Sequence, residues 1–257
     1  MNVSRGQAVH ARPKSSASQS RPPVHFRRVP AIDAIRGVAI IAMIAYHFCF
    51  DLRHVGLTAW DFYRDPFWLL ARTLILSSFL LLAGVSLVLA DATGLGRARF
   101  WRHVVLIGAC ALGVSLASYL IFPRSYIWFG VLHAIALSLI LMRPVVAHPR
   151  IALVLGLVVV AAGVTLSSPW FDTRIWGWIG FMTTKPETED YVPLFPWAGV
   201  MLVGIAIGHA LMKNEFRALV AFARLPRFVK WLGRHSLAVY MLHQPLLLGA
   251  LYAIAHR

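Results

Sequence analysis

The sequence predicts an all-α polytopic membrane bundle of about seven transmembrane helices with a cytosolic amino terminus. Three observations carry that expectation. Apolar runs long enough to cross a bilayer recur along the 257 residues. Only 14% of the chain is charged, and mean hydropathy is +0.68; a soluble domain carries about 25% charged residues. Lys and Arg gather in alternate loops, as the positive-inside rule places them. A β-barrel would show alternating segments of about ten residues, and none is visible.

Residues 1–30 are rich in Ser, Pro, Arg and Gln and have no apolar period, so they read as a disordered basic cytosolic tail. The run that follows holds charges and lacks a small-x-small cleavage site, which argues against a signal peptide. Residues 31–257 form the membrane domain. Its spans are expected near 33–52, 67–90, 102–122, 126–143, 150–168, 192–212 and 236–255. Pro123-Arg124-Ser125 makes a tight reversal between the third and fourth. Arg143-Pro144 and His148-Pro149-Arg150 end the fourth and open the fifth. The sixth carries Gly204-x-x-x-Gly208, a pattern for close helix packing. The 169–191 connection is long and rich in Trp, which predicts an interfacial segment or a lid.

Seven spans with the amino terminus inside put seventeen Lys and Arg on the cytosolic side and six on the outer side. This arrangement also disposes of the nucleic-acid reading that a net charge of +15 invites. Cys49 and Cys110 sit inside apolar runs, where Cys behaves as a small hydrophobe. No metal-ligand spacing, Walker loop, GxGxxG, HExxH or CxxC pair occurs.

The first span, AIDAIRGVAIIAMIAYHFCFDL, is the informative one. At about 100° per residue, Asp33, Arg36, His47 and Asp51 project onto one narrow face. Ionisable groups in a membrane are costly, face a bundle interior or a wet cavity, and mark function by default. His47 lies about 21 Å along the helix from Asp33, in the outer third of the membrane. Asp51 is one turn further on, so an i, i+4 imidazole–carboxylate contact is available, an arrangement that suits a general base. The bland alternative is a buried pair that only holds helices together. Arg72 lies at a similar depth on the second span, where it neutralises Asp51, binds a carbonyl or anion, or merely snorkels to the interface. His133 and His243 fall near mid-membrane and are candidates to line the site. Asp190, at the outer mouth of the sixth span, either contacts an acceptor or stabilises a helix N-terminus. Arg36, with Arg97, Arg99 and Arg102, could hold phosphates at the inner mouth, or supply topogenic charge.

The first span, with its D-x-x-R-G followed by a His, resembles the opening of the transmembrane acyltransferases. The likeness continues through RTLILSSFLLLAGVSLVLA, WFGVLHAIALSLIL, DYVPLFPWAGVMLVGIAIG and HSLAVYMLHQP, and covers about 31–250. More narrowly, the chain resembles the small bacterial members of the heparan-α-glucosaminide N-acetyltransferase catalytic-domain family. That resemblance implies an acetyl or other acyl group taken from cytosolic acetyl-CoA or another acyl-CoA. The acceptor would be a sugar, glycan or lipid headgroup at the far side of a bacterial inner membrane. It makes His47 the candidate catalytic histidine. In the lysosomal enzymes that name the family the active histidine lies further along, in the first non-cytosolic loop, which makes His54 a second candidate. The chain lacks the large luminal domain of those enzymes, so the family name carries no substrate assignment. Thioester chemistry needs no metal. The rival reading is a proton-coupled transporter of a small polar solute, which would need the same intramembrane groups, although no internal repeat supports it. A non-catalytic scaffold would not need the ionisable stripe. Oligomeric state, a homodimer among the options, has no signature in the sequence.

Overall fold

A computed structural model describes residues 29–94 and 96–255, so the tail expected over 1–30 lies almost wholly outside the described residues. All regular structure among them is helical: α1 (Pro30–His54), α2 (Pro66–Ala92), α3 (Arg97–Ile121), α4 (Val131–Met142), α5 (Pro149–Thr165), α6 (Arg174–Gly177), α7 (Leu194–Lys213), α8 (Val220–Ala223), α9 (Arg227–Arg234) and α10 (Ser236–Ala255). Proline opens α1, α2 and α5, where its missing N–H costs nothing and its fixed φ suits the first turn. Asp65 caps α2 by accepting from Phe67 N–H at 2.8 Å.

Five of these helices, α1, α2, α3, α7 and α10, are long and apolar enough to cross a membrane. Helices α4 and α5 are shorter and apolar, with 12 and 17 residues. The fourth expected span, 126–143, is the one that departs most from expectation. Its helix begins only at Val131, and the residues before it are non-helical and pair with the connection before α7 instead. At 1.5 Å per residue α4 is about 18 Å long, short of the ~30 Å hydrocarbon core.

Three close crossings fix the frame, one of them between α5 and α7, where Gly156 and Gly199 meet backbone to backbone. A Cβ on Gly204 of α7 would strike the Leu81 carbonyl of α2, and one on Gly84 of α2 would strike Met201 O of α7. The Gly204–Gly208 pattern is therefore a backbone contact, as its spacing suggests. At the opposite edge, Gly37 of α1 meets the Val229 carbonyl and Gly233 of α9 meets the Asp33 carbonyl. Helix α1 packs on α2, α8, α9 and α10, α7 on α2, α4 and α5, and α3 on α4. The main core lies between α2, α3, α4 and α7, with Leu80, Ile107, Leu139, Met201 and Ile205 buried in it, and Tyr240 and Met241 of α10 packed against it. His209 of α7 donates Nε2–H to Val146 O at 2.8 Å, tying the turn after α4 to α7 rather than capping its own helix.

The connection from 166 to 193 is ordered by its own aromatic residues. Phe181 packs between Phe171, which it meets edge to face, and Phe195, and Tyr191 donates its hydroxyl to Gly177 O at 2.6 Å. It lies on the segment before α4: Glu189 N–H bonds Ser125 O, Thr188 Oγ1 bonds Tyr126 O, and Phe129 pairs with Tyr191 in a single parallel bridge. Arg174 covers the Tyr126 ring at 5.1 Å. At the same end, Phe62 is 1% exposed and plugs between Tyr46, Phe50 and Trp68, folding the α1–α2 loop over the C-terminal end of α1.

Candidate active site

His47 and Asp51 do meet, but through a third residue. Gln244 of α10 donates its amide N–H to Asp51 Oδ1 at 2.7 Å, and its carbonyl oxygen lies 2.7 Å from His47 Nδ1. An ionised carboxylate only accepts, so the amide nitrogen faces Asp51 and the amide oxygen faces His47. His47 Nδ1 must then carry the proton, which leaves Nε2 as the basic nitrogen. Nε2 has no hydrogen-bond partner among the described residues. Adjacent His243 is buried and donates Nδ1–H to Tyr240 O at 2.6 Å. Its Nε2 is therefore an acceptor, 3.4 Å from His47 Nδ1, and supports the same tautomer. Asp51 is 1% exposed, and its Oδ2 is buried with no hydrogen-bond partner. A buried carboxylate oxygen left empty is costly, and such an atom calls for an account.

The rest of the stripe is divided among other helices. Asp33 pairs with Arg234 Nε of α9 at 3.1 Å. Arg36 donates to Ser86 Oγ of α2 at 2.6 Å, and that hydroxyl in turn donates to Leu82 O. One face of α1 thus meets α9, α2 and α10 in succession from its start to its end. Arg97, Arg99 and Arg102 stand exposed on the first turns of α3 at the Asp33 end. His103, on the same turn, is within electrostatic reach of Arg36.

Tyr240, whose carbonyl holds His243, is within electrostatic reach of Asp190. Asp190 Oδ2 accepts Val131 N–H at 2.9 Å, so a carboxylate from the 166–193 connection caps α4, while the α7 start it precedes has no side-chain cap. Burial raises the Asp190 pKa, and the Val131 N–H, Lys185 and Arg72 oppose that shift. Desolvation and the Arg72 charge lower the Lys185 pKa, while Asp190 and Glu189 hold it up. Desolvation, then Asp172, pushes the Tyr191 phenol up to about 12. His133 is fully engaged: Nδ1 accepts Gly130 N–H at 3.2 Å, Nε2 lies 3.2 Å from Ser115 Oγ, and that hydroxyl bonds Ile127 O at 2.6 Å. Arg72 is exposed, makes no ion pair among the described residues, and acts electrostatically on Tyr46, Tyr63, Lys185 and Asp190. His54 is exposed in the last turn of α1, its ring 6.0 Å from Phe122. It is also within electrostatic reach of Asp51, one turn back on the same helix.

Gln244, Ser86 and Ser115 carry site contacts that a search for charged residues passes over. The available signal for Gln244 was an uncharged amide inside an apolar run, set between His243 and Pro245. Geometrically the cluster offers one free imidazole nitrogen, an oriented tautomer and a buried carboxylate behind it. That is the equipment for removing a proton from a hydroxyl or amine.

The sequence matches the family model described as "Heparan-alpha-glucosaminide N-acetyltransferase, catalytic" over residues 28–245. No curated protein and no solved structure matches significantly. The matched span includes every residue of the His47–Gln244–Asp51 relay and leaves out little beyond the tail and the last turns of α10. The chain is an integral membrane protein of acetyltransferase type, and it belongs to the heparan-alpha-glucosaminide N-acetyltransferase catalytic family.

Proposed function

We propose that the protein transfers an acetyl or other acyl group from cytosolic acyl-CoA to a hydroxyl or amine of a sugar, glycan or lipid headgroup at the outer face. The observation that carries this reading is the His47–Gln244–Asp51 relay with His47 Nε2 free. Nε2 takes the acceptor proton as the acceptor oxygen or nitrogen attacks the thioester carbon. The carbonyl electrons pass to oxygen and return as the carbon–sulfur bond breaks. The proton on Nε2 then goes to the departing coenzyme A sulfur. Gln244 holds the tautomer, and Asp51 supports the positive charge on the imidazole through the amide.

The donor enters from the Asp33 end in this reading. Arg36 takes its anionic part, with Arg97, Arg99 and Arg102 attracting it from the first turns of α3. Arg36 and His47 are eleven residues apart, about 16 Å of helix, a span an extended pantetheine arm can cover. At the other end His133 and Asp190 fix the start of α4, and Arg72 and His243 border the place for the acceptor.

The test is acyl transfer from radiolabelled acetyl-CoA by purified protein in nanodiscs, with crude outer-membrane and periplasmic glycan fractions as acceptors. Label moving to an acceptor with wild type, and not with His47→Ala, is the expected result. Uptake of a solute coupled to protons, with no label transferred, would establish the transporter reading. The short α4 behind an extended segment is the one feature that speaks for it.

A further inference from the structure

We infer that helix α9 is a docking site for an anionic phospholipid headgroup at the membrane surface where α1 begins. The helix reads Arg227-Phe228-Val229-Lys230-Trp231-Leu232-Gly233-Arg234, and its three faces have different fates. Val229 and Gly233 are buried against α1, so close that Gly233 admits no side chain. Arg227, Lys230 and Arg234 fall together on a second face at 100° per residue. Phe228 and Trp231 lie beside them, 61% and 54% exposed. A shallow groove of about 570 Å³ runs along this surface, lined by Pro30, Arg227, Phe228, Lys230, Trp231 and Arg234.

Position identifies the occupant. Helix α9 ends at Arg234, and α10, long and apolar enough to cross the membrane, begins at Ser236. Pro30 opens another crossing helix at the same groove. The groove therefore lies at the boundary between hydrocarbon and water. Exposed aromatic rings beside Lys and Arg are the composition of a helix that rests in the headgroup layer, rings toward the acyl boundary and cations toward phosphate. Two of the three cations, Arg227 and Lys230, are uncompensated among the described residues. Asp33 is taken by Arg234, and Glu215 by Arg217 at 3.0 Å. Lys230 reaches only a carbonyl, Ala223 O at 3.1 Å, and Arg227 has no ion pair among the described residues. A headgroup phosphate completes that set. Because Arg234 also holds Asp33, a lipid seated here braces the base of the helix that carries His47.

The experiment is native mass spectrometry of the full-length protein, released from nanodiscs of phosphatidylglycerol and phosphatidylcholine in equal parts. Arg227→Gln/Lys230→Gln removes two cations and leaves the Val229–Gly233 packing face intact. A control, Arg150→Gln/Lys213→Gln, removes two cations from the same end of the bundle away from α9. Each charge-assisted contact to a seated phosphate is worth roughly tenfold or more in affinity, beyond the general field of the surface. Retention of phosphatidylglycerol should fall about 100-fold in the α9 variant and stay much nearer wild type in the control. Trp231→Ala should weaken retention of both lipids. Equal loss in the two double variants would reduce the effect to the general field of a basic surface and overturn the site. So would unchanged retention in the α9 variant. Displacement of bound phosphatidylglycerol by free coenzyme A would assign the groove to the donor instead. None of these readouts depends on acyl transfer, so the lipid site stands or falls apart from the catalytic proposal.

Discussion

Gln244 of α10 holds Asp51 of α1 by a 2.7 Å hydrogen bond, and its other amide atom lies equally close to His47. This single side chain converts two residues one turn apart on one helix into a unit that depends on a second helix. Gln244→Ala should therefore lower turnover while leaving donor binding unchanged. Loss of a hydrogen bond to a charged group is worth about 1.5–3 kcal/mol, or roughly ten- to a hundredfold in rate. Steady-state acyl transfer and a donor titration on the same preparation check it. Gln244→Glu should also be impaired, because a second carboxylate beside Asp51 cannot donate to it unless protonated. Full activity in both variants would leave Gln244 as a helix-packing residue.

Arg36 should belong to donor binding. Its bond to Ser86 is short, at 2.6 Å, and the side chain sits at the α9 end of α1, away from the His47 relay. Arg36→Ala should weaken acyl-CoA binding by roughly ten- to a hundredfold, the worth of one charge-assisted contact. Ser86→Ala should do so by less, because it frees the guanidinium without removing it. Calorimetric titration of coenzyme A distinguishes them, and unchanged affinity in Arg36→Ala would return this residue to a structural role.

The long helices were legible because apolar runs of bilayer length leave few alternatives. Thus α1, α2, α7 and α10 begin and end within a few residues of the expected spans, and α3 starts five residues early. The start of α4 was not legible. Its cap, Asp190, arrives from 59 residues away, and no local pattern around Gly130 announces it. The stripe on α1 was visible as a periodicity, yet periodicity shows only which residues share a face. It does not show which helix each will meet, so Arg234 opposite Asp33 and Gln244 opposite His47 emerged only from packing. Uncharged partners were hardest to see. A Gln or Ser in an apolar run carries no titratable signature, although in hydrocarbon its hydrogen bonds are as constrained as those of a charge.

Asp190 offers a separation of structure from binding. Its carboxylate caps α4, so Asp190→Ala should lower stability by about 1 kcal/mol, within the usual range for a lost cap. Asp190→Asn keeps an acceptor oxygen for Val131 N–H and should recover most of that loss. Thermal unfolding in detergent reads the cap. If Asn restores stability but the acceptor KM remains raised, the carboxylate charge also serves the acceptor. A KM that recovers together with stability would confine Asp190 to holding α4.

Topology tests the frame on which donor and acceptor sides depend. Seventeen Lys and Arg against six predict the amino terminus and the 213–235 segment in the cytosol. Within the structure, the start of α1 and helix α9 share one end, since Asp33 bonds Arg234. A phosphatase fused after Arg257 should be active only outside, and a fluorescent reporter inserted between α8 and α9 should fold only in the cytosol. A cytosolic carboxyl terminus would change the number of crossings and remove the outer acceptor from the proposed reaction.

The chemistry itself is tested by a cycle on His47 and Asp51. Loss of a general base costs about 10²–10⁴ in turnover, so His47→Ala should fall in that range with donor affinity intact. Asp51→Asn keeps an oxygen that can accept the Gln244 N–H but loses the charge that supports the protonated imidazole. Its defect should be smaller than that of His47→Ala and should appear in kcat rather than KM. The double variant should be no slower than His47→Ala, because once the imidazole is gone the carboxylate has nothing to support. His54→Ala should stay much nearer wild type than His47→Ala, since His54 is exposed at the end of α1, packs on Phe122 and reaches the relay only electrostatically, through Asp51. All four proteins are compared at matched oligomeric state, with transfer rather than donor hydrolysis as the readout. An active His47→Ala beside a dead His54→Ala would move the base into the outer loop. In that case the relay through Gln244 would stand as a structural tie between α1 and α10.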